Sequence, residues 1–293
     1  MANKEWIGTD SGNEGDWDTA ANWSPSGVPI AADDVIIANS SQDILTGLDQ
    51  SAIALNSITI DQSYTGVIGT LASDFLQIAS SIAIIGQSRT STGTLTGSSR
   101  LNIDFGSSTA CDIQVYNTAR NARDQNRQPL RIIGVNASHT LQVFGGQLSV
   151  SDDNSNSSQL SDITINSGSV NIGQGVTLAT LKTTGGSTAI QSSVTTCTCK
   201  GGTLNFYDGI SASTITTLTV SNGGIFNHYG SGTITTANAD GGTIDLTRTE
   251  KTKTITTLNL KKDSTVIIDT SNVTLTNDIV PESGEILTIT ASS

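Results

Sequence analysis

The sequence is poor in charged residues, in cysteine and in long apolar runs. Only 14% of its 293 residues are Asp, Glu, Lys or Arg, against roughly 25% in an ordinary soluble domain, which argues against long helices held by ion pairs. Three cysteines are too few for a disulfide scaffold. No segment reaches the apolar length of a membrane span, and Met1–Gly12 lacks the hydrophobic core of a signal peptide. We therefore expect a chain made and first folded in a cytosol, without a membrane partner.

The charge that is present is mostly negative. The formal net charge is −12 and the isoelectric point lies near 4.3. Because a nucleic-acid-binding surface has to neutralise phosphates with basic side chains, this balance argues against nucleic acid as a partner. An acidic exterior fits a protein that stays soluble or meets a basic partner.

Short runs of Ile, Val and Leu separated by Thr, Ser, Asn and Gly are abundant, which is typical of strands and turns. They form a repeat in which apolar and polar residues alternate, the period-two pattern of a strand with one buried face. The copies begin at Leu160, Leu178, Val194, Ile215, Ile234 and Ile255, with an earlier relative at Ala54. Glycine pairs, which favour sharp turns, divide the copies into two strands. These pairs are Gly185-Gly186, Gly201-Gly202, Gly223-Gly224 and Gly241-Gly242.

A repeat of this size cannot bury its own apolar face, so neighbouring copies have to stack. Hairpin signals are sparse and the same strand type recurs once per copy, so we favour a parallel β-helix over a meander of antiparallel hairpins. Burial of apolar area, at about 25 cal/mol per Å², would then hold the coils together. We expect inward side chains to form ladders, one of them made of Ile163, Leu181, Cys197, Leu218, Ala237 and Leu258.

The repeats resemble those of right-handed parallel β-helix proteins of the pectin-lyase-like class, over most of the chain after Asp43. The opening segment GDWDTAANWSPSGVPIAADDVII is similar to a Trp-rich lead-in before β-helical repeats in some bacterial surface proteins and phage virion proteins. The resemblance implies an all-β fold with a cap or attachment segment over residues 1–42 and a right-handed parallel β-helix over 43–293. A corner insertion is expected around 117–131. Because the end of a solenoid is an unpaired edge, we expect Trp6, Trp17 and Trp23 to cluster over it.

The candidate reactive side chains are best interpreted as structural. Cys197 and Cys199 share one face of a strand at core positions, and no second cysteine pair or histidine cluster accompanies them. His228 aligns with Phe206 of another copy and His139 stands alone, so neither is expected to act in catalysis. We expect no metal and no cofactor.

Two pairs of neighbouring carboxylates are candidates for catalysis, because polysaccharide cleavage on β-helices uses such pairs on an exposed face. Asp152-Asp153 lies in a polar loop and Asp33-Asp34 precedes a strand. Neither pair lies in the Gly-His-Gly or Arg-x-Lys sequences that polygalacturonases carry, so we expect a solvated loop and a strand lead-in. A structural calcium ion is a minor alternative, because one segment supplies enough oxygen ligands, although their spacing does not follow an EF-hand loop. These residues are Asp10, Asn13, Glu14, Asp16 and Asp18.

The segment from Asn117 to Arg131 interrupts the repeat and reverses the charge trend. Its arginines recur at intervals of three or four residues, so the first three would share one face of a helix. Two interpretations stay open: an exposed corner loop with solvated charge, or a docking element whose guanidinium groups bind carboxylates of a partner. The four candidate docking residues are Arg120, Arg123, Arg127 and Arg131.

Three classes of function remain open. We favour a non-enzymatic structural protein of a phage virion, a trimeric decoration or cement protein that binds the major capsid protein or another virion protein and assembles in the host cytoplasm. The homotrimer is expected because flat sheet faces of β-helices can pack about a threefold axis. The alternatives are a tailspike or receptor-binding protein that binds or cleaves surface polysaccharide, and a bacterial surface adhesin.

Overall fold

A computed structural model of the protein describes residues 2–69, 74–86, 101–116, 118, 128–151, 157–261, 263–281 and 288–290. Within these ranges the regular structure is β-strand apart from one 3-10 helix, Ala20–Asn22. The chain divides into unit 1, residues 1–150 and 158–160, and unit 2, residues 151–157 and 161–293. The described part holds no helix with the length and apolar character needed to cross a membrane.

Unit 1 contains the first ten strands, and nearly all of them pair in parallel. These strands are β1 Asn3–Trp6, β2 Trp23–Ser24, β3 Asp34–Ile37, β4 Asp49–Ile60, β5 Leu76–Ile85, β6 Leu101–Asp104, β7 Asp112–Val115, β8 Leu130–Ile133, β9 Thr140–Val143 and β10 Gln147–Val150. One stack joins β1, β3, β4, β5, β7 and β9, a second joins β6, β8 and β10, and β2 lies antiparallel to β1.

Unit 2 contains the remaining strands, apart from the first residues of β11. These strands are β11 Ser158–Ile165, β12 Ser169–Ile172, β13 Val176–Thr183, β14 Ser187–Ile190, β15 Val194–Cys199, β16 Thr203–Phe206, β17 Ile215–Ser221, β18 Ile225–His228, β19 Thr233–Asp240, β20 Thr243–Asp245, β21 Lys253–Leu260, β22 Thr265–Asp269, β23 Val273–Leu275, β24 Val280–Pro281 and β25 Thr288–Thr290. One parallel stack joins β13, β15, β17, β19, β21 and β23, and a second joins β12, β14, β16, β18, β20, β22 and β25.

The fold is a right-handed parallel β-helix. The repeat predicts the parallel β-helix, and the resemblance implies its right hand. The ladder expected from the sequence is confirmed from its second member onward, because the aligned partners are Leu181, Cys197, Leu218, Ala237 and Leu258 in successive strands. Ile163, the first member, is fully buried. Stacked apolar side chains thus form the core, and their burial is the main stabilising term.

The corners between strands are built by the predicted glycine pairs. In each pair one residue has a positive φ, which is 74° at Gly186 and 69° at Gly202, a region that other residues enter only at a cost. Neighbouring corners also lie close together, because a β-carbon on Gly202 would stand 2.4 Å from the carbonyl oxygen of Gly186. The glycines therefore serve both the turn and the stacking of one coil on the next.

Candidate functional site

The three tryptophans form one cluster beside the first strand of unit 1. The ring centroids of Trp6 and Trp23 are 5.2 Å apart and those of Trp17 and Trp23 are 4.6 Å apart, both in edge-to-face geometry. Each side chain is at most 1% exposed, and the Trp23 indole N–H donates to the Trp17 carbonyl at 2.8 Å. Such a cluster can hold β1 against β2. Its role as a cap over the first coil stays a prediction, and so does the boundary at residue 42.

The four candidate docking arginines fall into two groups. Arg120, Arg123 and Arg127 lie outside the described residues. Arg131 lies in β8, is only 3% exposed, and places its guanidinium carbon 4.9 Å from the centroid of the Phe75 ring. Because a buried arginine held by a cation–π contact supports packing, replacing Arg131 would report on folding rather than on docking.

The cysteines lie in the core, as predicted for the close pair. Cys197 aligns with Leu181 and Leu218, while Cys199 aligns with Val220, and all three thiols of the chain are free. Burial raises the pKa of Cys111 to about 12 and raises that of Cys197 as well. Protonated, enclosed thiols are poor nucleophiles and poor metal ligands.

His139 crosslinks two corners of unit 1. Its Nδ1 accepts the backbone N–H of Cys111 at 3.0 Å, so in the neutral ring Nε2 carries the proton and donates to the Gly106 carbonyl at 3.1 Å. The side chain is 1% exposed, and burial lowers its pKa. The ring fills a structural position, in line with the prediction.

His228 sits inside unit 2 among aromatic rings. It aligns with Phe206, as predicted, and contacts Phe206 and Phe226 edge-on at centroid distances of 5.1 and 6.1 Å. Its Nδ1 accepts the backbone N–H of Gly230 at 3.2 Å. Burial first, and the positive charge of Lys253 second, lower the pKa of His228 to about 4. The imidazole is therefore neutral near pH 7.

The Asp33-Asp34 pair is used in local hydrogen bonds. Asp33 is buried and accepts the backbone N–H groups of Ala2 and Ile30 at 2.9 and 3.1 Å. Burial opposes its ionisation, yet these bonds hold its pKa below the ordinary value. The bonds that Asp34 accepts from Ser57 and Asn56 lower its pKa too. The pair thus fits the predicted strand lead-in, while Asp152-Asp153 lies outside the described residues.

The acidic residues near the N-terminus bind neighbouring parts of the chain. Asp16 accepts the hydroxyls of Thr19 and Thr46, and Asp18 accepts the side-chain amide of Gln50. Among the described residues, no group of three or more His, Cys, Asp or Glu side chains is arranged to hold a metal ion.

Four aromatic rings on the surface form a feature that sequence reasoning missed. Every aromatic residue of the chain is described, and all are buried except these four. They form two stacked pairs: Tyr116 and Phe144 in unit 1, with centroids 4.7 Å apart, and Tyr207 and Tyr229 in unit 2, with centroids 4.8 Å apart. The alignment of the repeat copies could have shown the second pair, because Tyr207 and Tyr229 each come one residue after strands that align with each other.

Basic side chains lie beside the Tyr207–Tyr229 pair. Lys251 binds the Asp208 carboxylate at 2.8 Å, and Arg248 binds the Asp245 carboxylate at 2.8 Å. The two basic side chains are 53% and 46% exposed, whereas their acidic partners are 16% and 8% exposed. The basic side chains are thus held close to the pair through its sequence neighbours: Lys251 through Asp208, which follows Tyr207, and Arg248 through Asn227, which lies two residues before Tyr229.

No family model, no curated protein and no solved structure matches this chain.

Proposed function

We propose that the chain is a structural protein of a phage virion, a trimeric capsid decoration protein. The observation that carries the proposal is the stacked pair Tyr116 and Phe144 on the surface of unit 1, whose side chains are 48% and 37% exposed. Tyr116 stands directly before the arginine-rich segment that the sequence analysis predicts as a docking element. Aromatic and arginine side chains are enriched at interface hot spots.

Contacts within the protein already order the rings of Tyr116 and Phe144. The Tyr116 hydroxyl donates to Gln114 Oε1 at 2.9 Å, and the ring planes of Tyr116 and Phe144 are inclined by only 10°. Rings that are already ordered lose little conformational entropy when a partner covers them. We assign this surface to the contact between copies, and Arg120, Arg123 and Arg127 to the contact with the capsid.

The trimer is tested by light scattering on the purified protein. The wild-type chain should be a trimer at micromolar concentration, and Tyr116→Ala with Phe144→Ala should convert it to a monomer because the interface loses its aromatic anchors. Ile225→Ala is the matched control, since Ile225 is 38% exposed and lies in unit 2. A wild-type monomer contradicts the trimer, and dissociation of the control variant contradicts the assigned surface. The virion location fails if antibodies against the chain do not label intact capsids.

A second candidate function, binding of an acidic surface polysaccharide, is favoured by the Tyr207–Tyr229 pair. Sugar rings pack on aromatic side chains, and a uronate carboxylate can bind the exposed groups of Arg248 and Lys251. At physiological ionic strength, a charge farther than about 8 Å from the bound uronate is largely screened. The nearby cations therefore decide the interaction, although the net charge of the chain is −12.

This candidate is tested with polygalacturonate as the acidic probe and dextran as the neutral one. Lys251→Gln should weaken binding to polygalacturonate several-fold, because one of two exposed cations is lost. Lys261→Gln is the control, since Lys261 is 51% exposed and also bound to a carboxylate, that of Asp240. Equal binding of the two polysaccharides, or an equal loss in both variants, would rule out this site.

A further inference from the structure

One lysine side chain of unit 2 is completely enclosed, which is unusual for a charged residue. Lys253, the first residue of β21, is 0% exposed. Extending the strand register backwards places Gly232 and Ser213 at the equivalent positions of the two preceding coils. Because small residues are sufficient at those positions, the packing of the coils does not require a lysine. The reason for Lys253 therefore lies in its local contacts.

The ammonium group of Lys253 binds one loop, residues 246–252, which joins β20 to β21. Nζ donates to the Thr249 carbonyl at 3.0 Å, to the Thr249 hydroxyl at 3.1 Å and to the Lys251 carbonyl at 2.9 Å. These bonds use all three N–H groups of an ammonium. Lys253 thus holds the backbone of the loop from inside the fold.

Loop 246–252 carries the two exposed cations of the second candidate function. Arg248 directly precedes Thr249, and the carbonyl of Lys251 is itself an acceptor for the buried ammonium. The Thr249 hydroxyl also donates to the Tyr229 carbonyl at 3.2 Å. A chain of hydrogen bonds therefore runs from Lys253 through the loop to the aromatic pair.

The ion pairs at the surface contribute little to the order of this loop. Lys251 and Arg248 are 53% and 46% exposed where they bind Asp208 and Asp245, and an ion pair with an exposed member gains little in water. Hydrogen bonds donated by a buried charge are stronger. The conformation of the loop therefore depends mainly on Lys253.

We propose that Lys253 is a positioning residue, which fixes loop 246–252 so that Lys251 and Arg248 face a bound acidic polysaccharide. The proposal rests on the second candidate function given above. An ordered loop loses little conformational entropy when it binds. Order also matters for Glu250, the exposed carboxylate of the loop, because a loose loop would let this like charge approach the ligand. The affinity should therefore depend on Lys253, although its enclosed side chain cannot touch the polysaccharide.

The first measurement is trypsin cleavage of the purified full-length chain in the absence of polysaccharide. Trypsin cuts after lysine and arginine where the backbone is exposed and can open. Lys253→Met keeps a long side chain and removes the three donors. The bonds after Arg248 and Lys251, identified by mass spectrometry, should then be cut at least several-fold faster than in the wild type.

Lys4→Met is the matched control for the cleavage experiment. Lys4 is 9% exposed and donates to the Pro25 and Ser26 carbonyls at 3.0 and 3.3 Å in unit 1, so its loss should not affect loop 246–252. Thr249→Val, at a partly exposed position, removes one acceptor and should have a smaller effect in the same direction. This variant decides the outcome if Lys253→Met does not fold. Unchanged cleavage in both variants, or an equal increase in Lys4→Met, overturns the proposal.

The second measurement is binding to polygalacturonate. Lys253→Met should weaken it several-fold, and a double-mutant cycle with Lys251→Gln separates positioning from a general loss of stability. If Lys253 acts through Lys251, the double variant should lose much less than the product of the two separate losses. Independent losses, or full binding by Lys253→Met, overturn the positioning role alone. A wild-type chain that does not bind polygalacturonate overturns the second candidate function, and the proposal with it, whatever the trypsin result.

Discussion

Replacing Gly202 by alanine should destabilise unit 2 by about 4 kcal/mol, from positive-φ strain and steric overlap together. Gly202 has a φ of 69°, and an added β-carbon would lie 2.4 Å from the Gly186 carbonyl oxygen and 2.6 Å from the Gly185 carbonyl carbon. Both obstacles are backbone atoms of the neighbouring coil, which cannot rotate away. Urea unfolding followed by circular dichroism measures the loss.

Gly223→Ala is the matched control for this prediction. Gly223 has a similar φ of 77°, but an added β-carbon would meet no atom within 4 Å. Only the backbone strain remains there, so the expected loss is about 1 kcal/mol. Equal losses at Gly202 and Gly223 would show that the coils do not stack as closely at their corners as the structure indicates.

Acidification should weaken unit 2 through His228, and His228→Phe should remove this part of the pH dependence. The pKa of His228 is about 4 in the folded chain, lowered by burial and by Lys253, against about 6.5 in an unfolded chain. Between these values the unfolded chain binds a proton that the folded chain does not. The contribution to stability is therefore complete above pH 6.5 and falls as the pH drops, by about 3 kcal/mol at pH 4.

The measurement is the free energy of unfolding at intervals from pH 8 to pH 4, for the wild type and for His228→Phe. The slope against pH is compared rather than the absolute value, because phenylalanine also changes the packing against Phe206 and Phe226. Carboxylates titrate in both proteins and cancel in the difference. An unchanged slope in the variant would mean that His228 is accessible to protons in the folded state.

The repeat in unit 2 was predictable because buried apolar residues alternate with exposed or partly exposed polar residues along its strands. Leu181, Cys197 and Leu218 could be aligned from sequence, since each stands between two polar residues, four residues before a glycine pair for the first two and five residues before one for Leu218. The positions of His228 and of the buried cysteines followed from that alignment. In this part of the chain, the strands that the alternating sequence pattern predicts are the strands that build the parallel β-helix.

Unit 1 was harder to predict because its coils are less regular. β4 and β5 pair with a register shift between Gln50 and Ala54, so the relative at Ala54 was the only copy visible there. The burial of Arg131 could not be foreseen either. The Phe75 ring that covers it comes from a distant part of the chain, and the pattern within a strand does not show what packs on its outer side.

The surface pairs were missed for a related reason. In the sequence, neither Tyr116 nor Phe144 belongs to a recognisable pattern. The two rings meet only because β7 and β9 pair in register.

The aligned positions Leu178, Val194, Ile215, Ile234 and Ile255 are separated along the chain by 16, 21, 19 and 21 residues. The corners accommodate these differences, so coils of different length pair their strands in the same register. A whole coil could therefore be added or removed at a corner while the pairing of the remaining strands is kept. A single residue inserted inside a strand would instead turn every following side chain to the opposite side.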